Sequence, residues 1–199
     1  VYINDVWGIS TAQHYCLNVI GDLHGFVATE DTEALDIADK RKLLLIPETD
    51  GDDNFFNGFA GPLLAEAMVF SVWHELEYGE LSGNLPWLCT KFNGSQQELE
   101  AFLSEMASCE MYAGRIKRSG NRMLAMLKQS PKTAMGVIGV ITNALAMFDP
   151  ATRLGQNIQS SDFDIAKLKR EPISIGICIP PDKITSHGTY AGLAQGQYV

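Results

Sequence analysis

The hydrophobic pattern divides the 199-residue chain into two short terminal β segments and a long helical interior. Residues 1–3 and 173–179 (ISIGICI) are rich in β-branched side chains, and Pro180 and Pro181 close the second run, so both are predicted strands. Parallel strands need a crossover of only about a dozen residues. The much longer interior therefore indicates a helical domain inserted into an α/β domain, with stubs of that host at both ends.

The interior is predicted to form a series of helices, because apolar side chains recur there at three- and four-residue steps. Ser95 precedes Glu98 by the spacing of a capping box. Pro62 predicts a kink in the second helix, and Ser119-Gly120 marks a potential break in a later one. The first predicted helix is capped by Thr29 or Asp31, ends before Pro47 and buries one face with Leu35, Ile37, Ala38 and Leu43. The others are 55–76, 85–92, a helix after Ser95, 111–127, 133–148, and a short one capped by Asp162.

The chain is acidic, with 24 Asp and Glu against 15 Lys and Arg and a formal net charge of -9. This balance disfavours strong binding to naked DNA by charge alone and favours protein partners, basic ones in particular. The four cysteines are Cys16, Cys89, Cys109 and Cys178, and their wide spacing predicts free thiols in a reducing, cytoplasmic compartment. The longest apolar stretch without charge, 133–148, is shorter than the ~20 residues that cross a bilayer, so it predicts a core helix.

Motif searches give no nucleotide or hydrolase site. The sequence has no G-x-x-x-x-G-K-[ST], G-x-G-x-x-G or G-x-S-x-G, and His74-Glu75 lacks the second histidine of a zinc-binding H-E-x-x-H. We therefore predict no catalytic residue, no cofactor and no metal for these 199 residues.

An acidic loop before the second helix leaves several interpretations open. Its oxygen-bearing side chains are Glu48, Asp50, Asp52, Asp53 and Asn54. Asp53 or Asn54 is placed to cap the following helix, and the same oxygens suit calcium, although the spacing is not that of an EF-hand. An alternative function is a small hydrolase that uses these carboxylates with His74 or His24, which requires the loop and a histidine to converge in one pocket.

Two other features of the sequence are candidate sites for the binding of a partner. Positive charge concentrates in Arg115, Lys117, Arg118, Arg122, Lys128 and Lys132. This cluster is either a solvated helix face or a contact for phosphate or an acidic partner. Trp87 is either a core residue or, if exposed, an anchor for a protein partner. The candidate partner-binding residues are Trp87, Arg115, Lys117 and Arg118.

Three stretches resemble the coupling proteins of type IV secretion and conjugation systems, of the TraG/TraD kind. They are VYINDVWGIS followed by LNVIGDL, then DGDDNFFNGFAGPLLAEAMVFSVWHE, and finally the long run from SPKTAMGV to IPPDKI. The positions that match family motifs are Asp5, Ser161, Asp162, Phe163, Asp164, Pro181 and Asp182. Val6 and Val19 depart from the family pattern, which has a proline at the first position and Asn-Pro near the second.

The resemblance implies a mainly α fold: a helical bundle domain inserted in a RecA-like α/β domain, with short terminal strands from the host. Residues 1–28 would be a stub of the nucleotide-binding domain and its connection, 29–170 the all-α domain, and 171–199 the return strand and a second stub. We expect residue 1 to lie inside a longer protein, since the chain opens VYINDVWG without Met. That parent would be a hexameric ATPase translocase that binds ATP and Mg²⁺ and is anchored in the bacterial inner membrane.

The resemblance also implies a function, the selection of cargo at the cytoplasmic face of the membrane. The cargo would be a relaxase–DNA complex, another relaxosome component or a secreted protein effector, passed on for ATP-driven transfer through a secretion channel. A purely structural role in ring assembly is the other alternative, beside the small hydrolase.

Overall fold

The two terminal β segments pair with each other. In the computed structural model, which describes residues 1–48, 53–163, 167 and 170–197, strands β1 (Tyr2–Asn4) and β2 (Ile175–Ile177) form a parallel two-stranded sheet. Tyr2 lies opposite Ile175 and Asn4 opposite Ile177. Parallel strands cannot be joined by a tight turn, so the helical interior serves as their crossover. The predicted terminal strands are confirmed.

Nine α-helices are found in the described part of the chain, which confirms the mainly α fold. They are α1 (Leu23–Ala28), α2 (Glu33–Leu45), α3 (Asp53–Tyr78), α4 (Leu85–Asn93), α5 (Gln96–Ser108), α6 (Met111–Gln129), α7 (Pro131–Leu145), α8 (Arg153–Asn157) and α9 (Ile184–Gln195). Short 3-10 turns, Ala146–Phe148 and Pro181–Lys183, follow α7 and precede α9.

Helix α3 is the centre of the bundle and packs against α1, α2, α4, α6 and α7. Leu64, Met68 and Phe70 on this helix are fully buried. The helix continues through Pro62, so the proline does not end it. A central helix that is apolar on most of its circumference is what a bundle with neighbours on several sides requires.

The local signals that begin α4 and α5 are confirmed. Ser95 Oγ accepts a hydrogen bond from the Glu98 amide at 3.3 Å, while Glu98 Oε2 accepts one from the Ser95 amide at 2.7 Å. These two bonds form the predicted capping box of α5. In α4, Pro86 lies in the first turn, and the Asn84 side chain accepts from the Trp87 amide at 2.9 Å.

Of the two predicted caps of α2, Thr29 is wrong, and α1 was missed. Thr29 ends α1 instead, and α2 begins at Glu33. Asp31, the other predicted cap, accepts a hydrogen bond from the Glu33 amide at 3.0 Å, although it lies one residue before the N-cap position, Thr32. Leu43, predicted to be buried, is 45% exposed. The short α1 has too few residues to display a helical period, which explains why the pattern did not reveal it.

The predicted break at Ser119-Gly120 is wrong, because α6 continues through both residues. A Cβ on Gly120 would lie 2.7 Å from the Ala107 nitrogen and the Leu103 carbonyl oxygen of α5. The glycine therefore permits a close helix–helix approach. The backbone irregularity occurs earlier, where Tyr112, Ala113 and Gly114 have left-handed φ values of 53°, 52° and 72°.

Two helices have the length and hydropathy of a membrane span, although the sequence analysis identified none. They are Asn54–Tyr78, with mean hydropathy 1.4, and Pro131–Phe148, with mean hydropathy 1.2. In the first, 67% of the apolar window is buried inside the bundle, and in the second 33%. A core helix of this length passes the same test, so the hydropathy by itself does not indicate a span.

Candidate functional site

The first motif residue, Asp5, organises the turn that follows β1. Its Oδ1 accepts a hydrogen bond from the Ile9 amide at 3.0 Å, and its Oδ2 accepts one from the Ser10 amide at 2.5 Å. Gly8 completes the turn with a left-handed φ of 68°, which glycine adopts without strain. Burial favours the protonated carboxyl, but the backbone N–H groups outweigh it and hold the pKa of Asp5 below its ordinary value. Both carboxylate oxygens are thus occupied by the turn.

The other motif residues bring a distant stretch of chain onto the N-terminal segment. Ser161 Oγ accepts from the Asn18 amide at 2.9 Å, and Asp162 Oδ2 accepts from the Cys16 amide at 2.6 Å. The Phe163 ring stacks on Tyr2 with centroids 4.5 Å apart. Two stretches that separately resemble the same family therefore form one contact surface. Asp164 lies outside the described residues.

Asp162 does not act as the predicted helix cap. Its backbone amide donates to the Cys16 carbonyl at 3.1 Å, and its carboxylate accepts from the Cys16 amide, so both are directed to the N-terminal segment. The helix that it was predicted to cap falls largely outside the described residues. Burial together with Asp162 raises the pKa of the Cys16 thiol, which keeps that thiol protonated.

A buried asparagine that the sequence analysis did not single out joins these segments to α8 and α9. Asn4 is fully buried, and its Nδ2 donates to the Tyr15 carbonyl at 2.7 Å and to Asn157 Oδ1 at 2.8 Å. Its Oδ1 accepts from the Tyr190 hydroxyl. The sequence signal for this residue was an amide side chain at the end of an otherwise apolar strand (VYIN). Such a side chain needs hydrogen-bond partners if the strand is buried.

Asn18 extends this junction to the bundle. Its Nδ2 donates to the Gly83 carbonyl at 2.7 Å, just before α4, and its own carbonyl accepts from Gln197 Nε2 at 2.6 Å. The two remaining motif residues, Pro181 and Asp182, lie on the exposed 3-10 turn between β2 and α9. We use the term strand junction for the contacts made by Asn4, Asp5, Asn18, Ser161 and Asp162.

The three basic residues that were predicted to bind a partner make contacts within the fold. Arg115 donates to Glu66 at 2.9 Å and to Asp39 at 3.0 Å, and so bridges α6 to α3 and α2. Lys117 pairs with Glu110, and Arg118 donates to the Ala113 carbonyl at 2.7 Å. Acidic partners within the fold thus compensate much of the positive charge. This placement does not favour Arg115, Lys117 and Arg118 as a phosphate contact.

Trp87 lies half-buried in a group of aromatic rings where α3 ends and α4 begins. Its centroid is 5.1 Å from His74 and 5.7 Å from Phe102, and the Lys91 ammonium lies 4.8 Å above it. Tyr78 packs against His74 at 4.7 Å. Trp87 is therefore neither a fully buried core residue nor a free anchor.

The end of α3 and the loop that follows it carry exposed apolar side chains next to acidic ones in the chain. Leu76, Tyr78 and Leu81 are exposed, and Glu77 and Glu80 alternate with them. We call this region the aromatic end and define it by Trp73, Leu76, Glu77, Tyr78, Glu80, Leu81 and Trp87. Exposed apolar side chains with charged neighbours are typical of protein-binding sites.

The described residues do not favour the hydrolase alternative. The acidic loop precedes α3, whereas His74 lies near its opposite end; twenty helical residues separate Asn54 from His74, or about 30 Å. His24 pairs with Glu75 at 3.2 Å, also at that far end. Residues 49–52 of the loop lie outside the described part of the chain. Among the described residues, no group of three or more His, Cys, Asp or Glu side chains is arranged to hold a metal ion.

The fold and the strand junction define a helical domain whose two ends return to a shared parallel strand pair. A family model for the type IV secretory system conjugative DNA transfer family matches residues 7–199, nearly the whole chain. The chain therefore belongs to this family, and the resemblance seen in the sequence is confirmed. No curated protein gives a significant match to the chain.

Proposed function

We propose that the chain is the substrate-recognition domain of a type IV coupling protein, which selects a relaxase–DNA complex or a protein effector for ATP-driven transfer. Membership of the conjugative DNA transfer family supports the assignment of the chain to a type IV secretory system. The aromatic end is the observation that supports a role in recognition, because it presents apolar and acidic side chains together.

The aromatic end suits a basic, partly apolar protein segment. Leu76, Tyr78 and Leu81 would bury apolar surface on binding, at about 25 cal/mol per Å². Glu77 and Glu80 would attract Lys or Arg and repel DNA phosphates, in keeping with the net charge of -9. The cargo would thus be recognised through its protein part, with no strong binding of naked DNA by this domain.

The remaining parts of the proposal concern the longer protein. The parallel β1–β2 pair supports an insertion into a RecA-like host domain, with the boundaries 1–28, 29–170 and 171–199, because both ends of the helical domain enter one sheet. ATP and Mg²⁺ would bind in that host, outside these residues, since the chain has no phosphate-binding loop. The parent would be a membrane-anchored hexamer facing the cytoplasm.

The test is a mating assay with the full-length protein in its native transfer system. The variant Leu76→Ser with Leu81→Ser removes apolar side chains that are 46% and 53% exposed. The matched control, Leu43→Ser with Met135→Ser, changes side chains that are 45% and 55% exposed elsewhere on the surface. Truncating two leucines that become buried when cargo binds is expected to cost about 1.4 kcal/mol or more, so transfer should fall by about tenfold or more.

The control pair should transfer within about twofold of wild type, at equal protein levels by immunoblot. Equal transfer by both pairs would contradict recognition at the aromatic end. Chemical cross-linking of the hexamer separates the structural alternative: if the Leu76/Leu81 variant loses its oligomer, the surface serves ring assembly and the proposal is wrong.

A further inference from the structure

One cleft of the described surface lies between the turn after β1, the start of α8 and the start of α9. It has a volume of about 360 Å³ and is lined by Trp7, Thr152, Arg153, Leu154, Lys183 and His187. The residues come from three separate parts of the chain: the turn after β1, the start of α8, and the segment that begins α9. Its size is at the lower end of the range for small-molecule sites, ~300–1,000 Å³.

The cleft is basic in an otherwise acidic chain. It is lined by an arginine, a lysine and a histidine, and none of these described lining residues is Asp or Glu. Arg153 and Lys183 form no ion pair with any residue in the described part of the chain, unlike Arg115, Lys117 and Arg41. Two cations that line one concave surface, with no ion pair among the described residues, favour an anion that carries more than one negative charge.

The aromatic wall adds a second requirement. Trp7 is half-buried, and His187 packs edge-on against its ring at 5.3 Å and 85°. His187 Nδ1 is hydrogen-bonded to Ser186 Oγ at 2.8 Å, which leaves Nε2 available for a ligand. An indole beside two cations is the combination with which proteins stack a base and bind its phosphate.

We propose that this cleft binds a single nucleotide unit, with the phosphate monoester held by Arg153 and Lys183 and the base stacked on Trp7. A monoester dianion matches the two cations better than the single charge of a peptide carboxylate. A continuous nucleic-acid strand is disfavoured, because the chain carries a net charge of -9. The unit comes either from a free nucleotide or from the 5′-phosphorylated end of single-stranded DNA.

The test is calorimetric titration of the purified chain at low salt with dAMP, inorganic phosphate and short oligothymidylates with and without a 5′-phosphate. Arg153→Gln with Lys183→Gln removes the proposed phosphate contacts. Arg122→Gln with Lys128→Gln makes the same change of charge at exposed positions on α6 and is the matched control. Trp7→Leu removes the stacking surface, and circular dichroism checks that each variant remains folded.

Saturable dAMP binding is expected to weaken at least tenfold in the Arg153/Lys183 variant and less than twofold in the control. Trp7→Leu should weaken dAMP about tenfold and leave the weaker binding of inorganic phosphate unchanged. If the 5′-phosphorylated oligonucleotide binds with an affinity similar to that of dAMP, the end of a DNA strand is a source of the bound nucleotide. If it does not bind, the ligand is a free nucleotide.

Three results would overturn the assignment. Equal losses in the two charge variants would show attraction by net charge alone, and inorganic phosphate that binds as tightly as dAMP would exclude recognition of the base. Affinity that rises with oligonucleotide length without a 5′-phosphate would indicate a strand-binding surface instead. If Trp7→Leu does not fold, two comparisons still test the assignment: the affinity for dAMP of one charge variant against the other, and the affinity for dAMP against that for inorganic phosphate.

Discussion

The close contact of α5 and α6 gives a direct test of the packing, through the exchange of one glycine for alanine. The Cβ of Gly120→Ala would lie 2.7 Å from two α5 backbone atoms, where an ordinary contact begins at 3.4 Å. Since those are the Ala107 nitrogen and the Leu103 carbonyl oxygen, neither can rotate away, and α5 must retreat by about 0.7 Å.

The expected loss of stability follows from two opposing effects. Overpacking of a core typically costs about 1–3 kcal/mol, and we expect the upper end because backbone atoms are involved. Alanine regains about 1 kcal/mol of helix propensity over glycine. The net change in the free energy of unfolding is thus a loss of about 2 kcal/mol.

Gly139 in α7 is the matched control, because a Cβ there would meet no atom within 4 Å. Gly139→Ala should stabilise the protein by about 0.5–1 kcal/mol from helix propensity alone. Urea unfolding followed by circular dichroism measures both values. Equal or same-sign changes in the two variants would refute the close approach of α5 and α6 at Gly120.

Two further predictions concern buried polar contacts. Asn4→Ala should lower the free energy of unfolding by about 3 kcal/mol, since three partners lose a hydrogen bond. Tyr190→Phe removes only one of these bonds and should cost about 1 kcal/mol. Equal losses of the two variants in urea unfolding would contradict the central place of Asn4. Burial opposes ionisation of Asp39, but hydrogen bonds from Lys42 and Arg115 outweigh this effect and hold the pKa of Asp39 below its ordinary value of 3.8. The ionised carboxylate therefore stabilises the fold above that pH, and its contribution is lost as the pH falls through the lowered pKa. Asp39→Asn should therefore cost about 1 kcal/mol at pH 7 and less at pH 3, and an equal cost at both would refute the assignment.

Local signals in the sequence were sufficient for most helices and for the cap of α5. The Ser95 and Glu98 side chains form the predicted capping box because both partners lie within one turn, so no distant residue is needed. The paired strands were also predictable, since a β-branched run at each end of a helical interior leaves few other partners.

What the sequence did not reveal depends on distant contacts. Gly120 has the local signature of a helix break, yet the backbone of α5 decides its role. Arg115 belongs to a basic run, and only the approach of Glu66 and Asp39 shows that its charge is compensated. Asn4 becomes informative only when α8 and α9 bring Asn157 and Tyr190 to it.

The proposed recognition surface was anticipated only in part. Trp87 was a candidate, but Tyr78, Leu76 and Leu81 were not, because a helix pattern identifies apolar positions without showing which of them lack a neighbour. Residues 49–52 lie outside the described part of the chain, so the interpretations of the acidic loop, as a helix cap or as calcium ligands, both stay open.

Site-specific photo-cross-linking from the aromatic end in mating cells tests the central claim most directly. A photoreactive phenylalanine at Tyr78, which is 61% exposed, should capture the relaxase or another protein substrate of the same transfer system, while the same group at Met135 should not. Capture of DNA or of a second copy of the chain at position 78, or equal capture of the substrate from both positions, would contradict recognition of protein cargo by this surface.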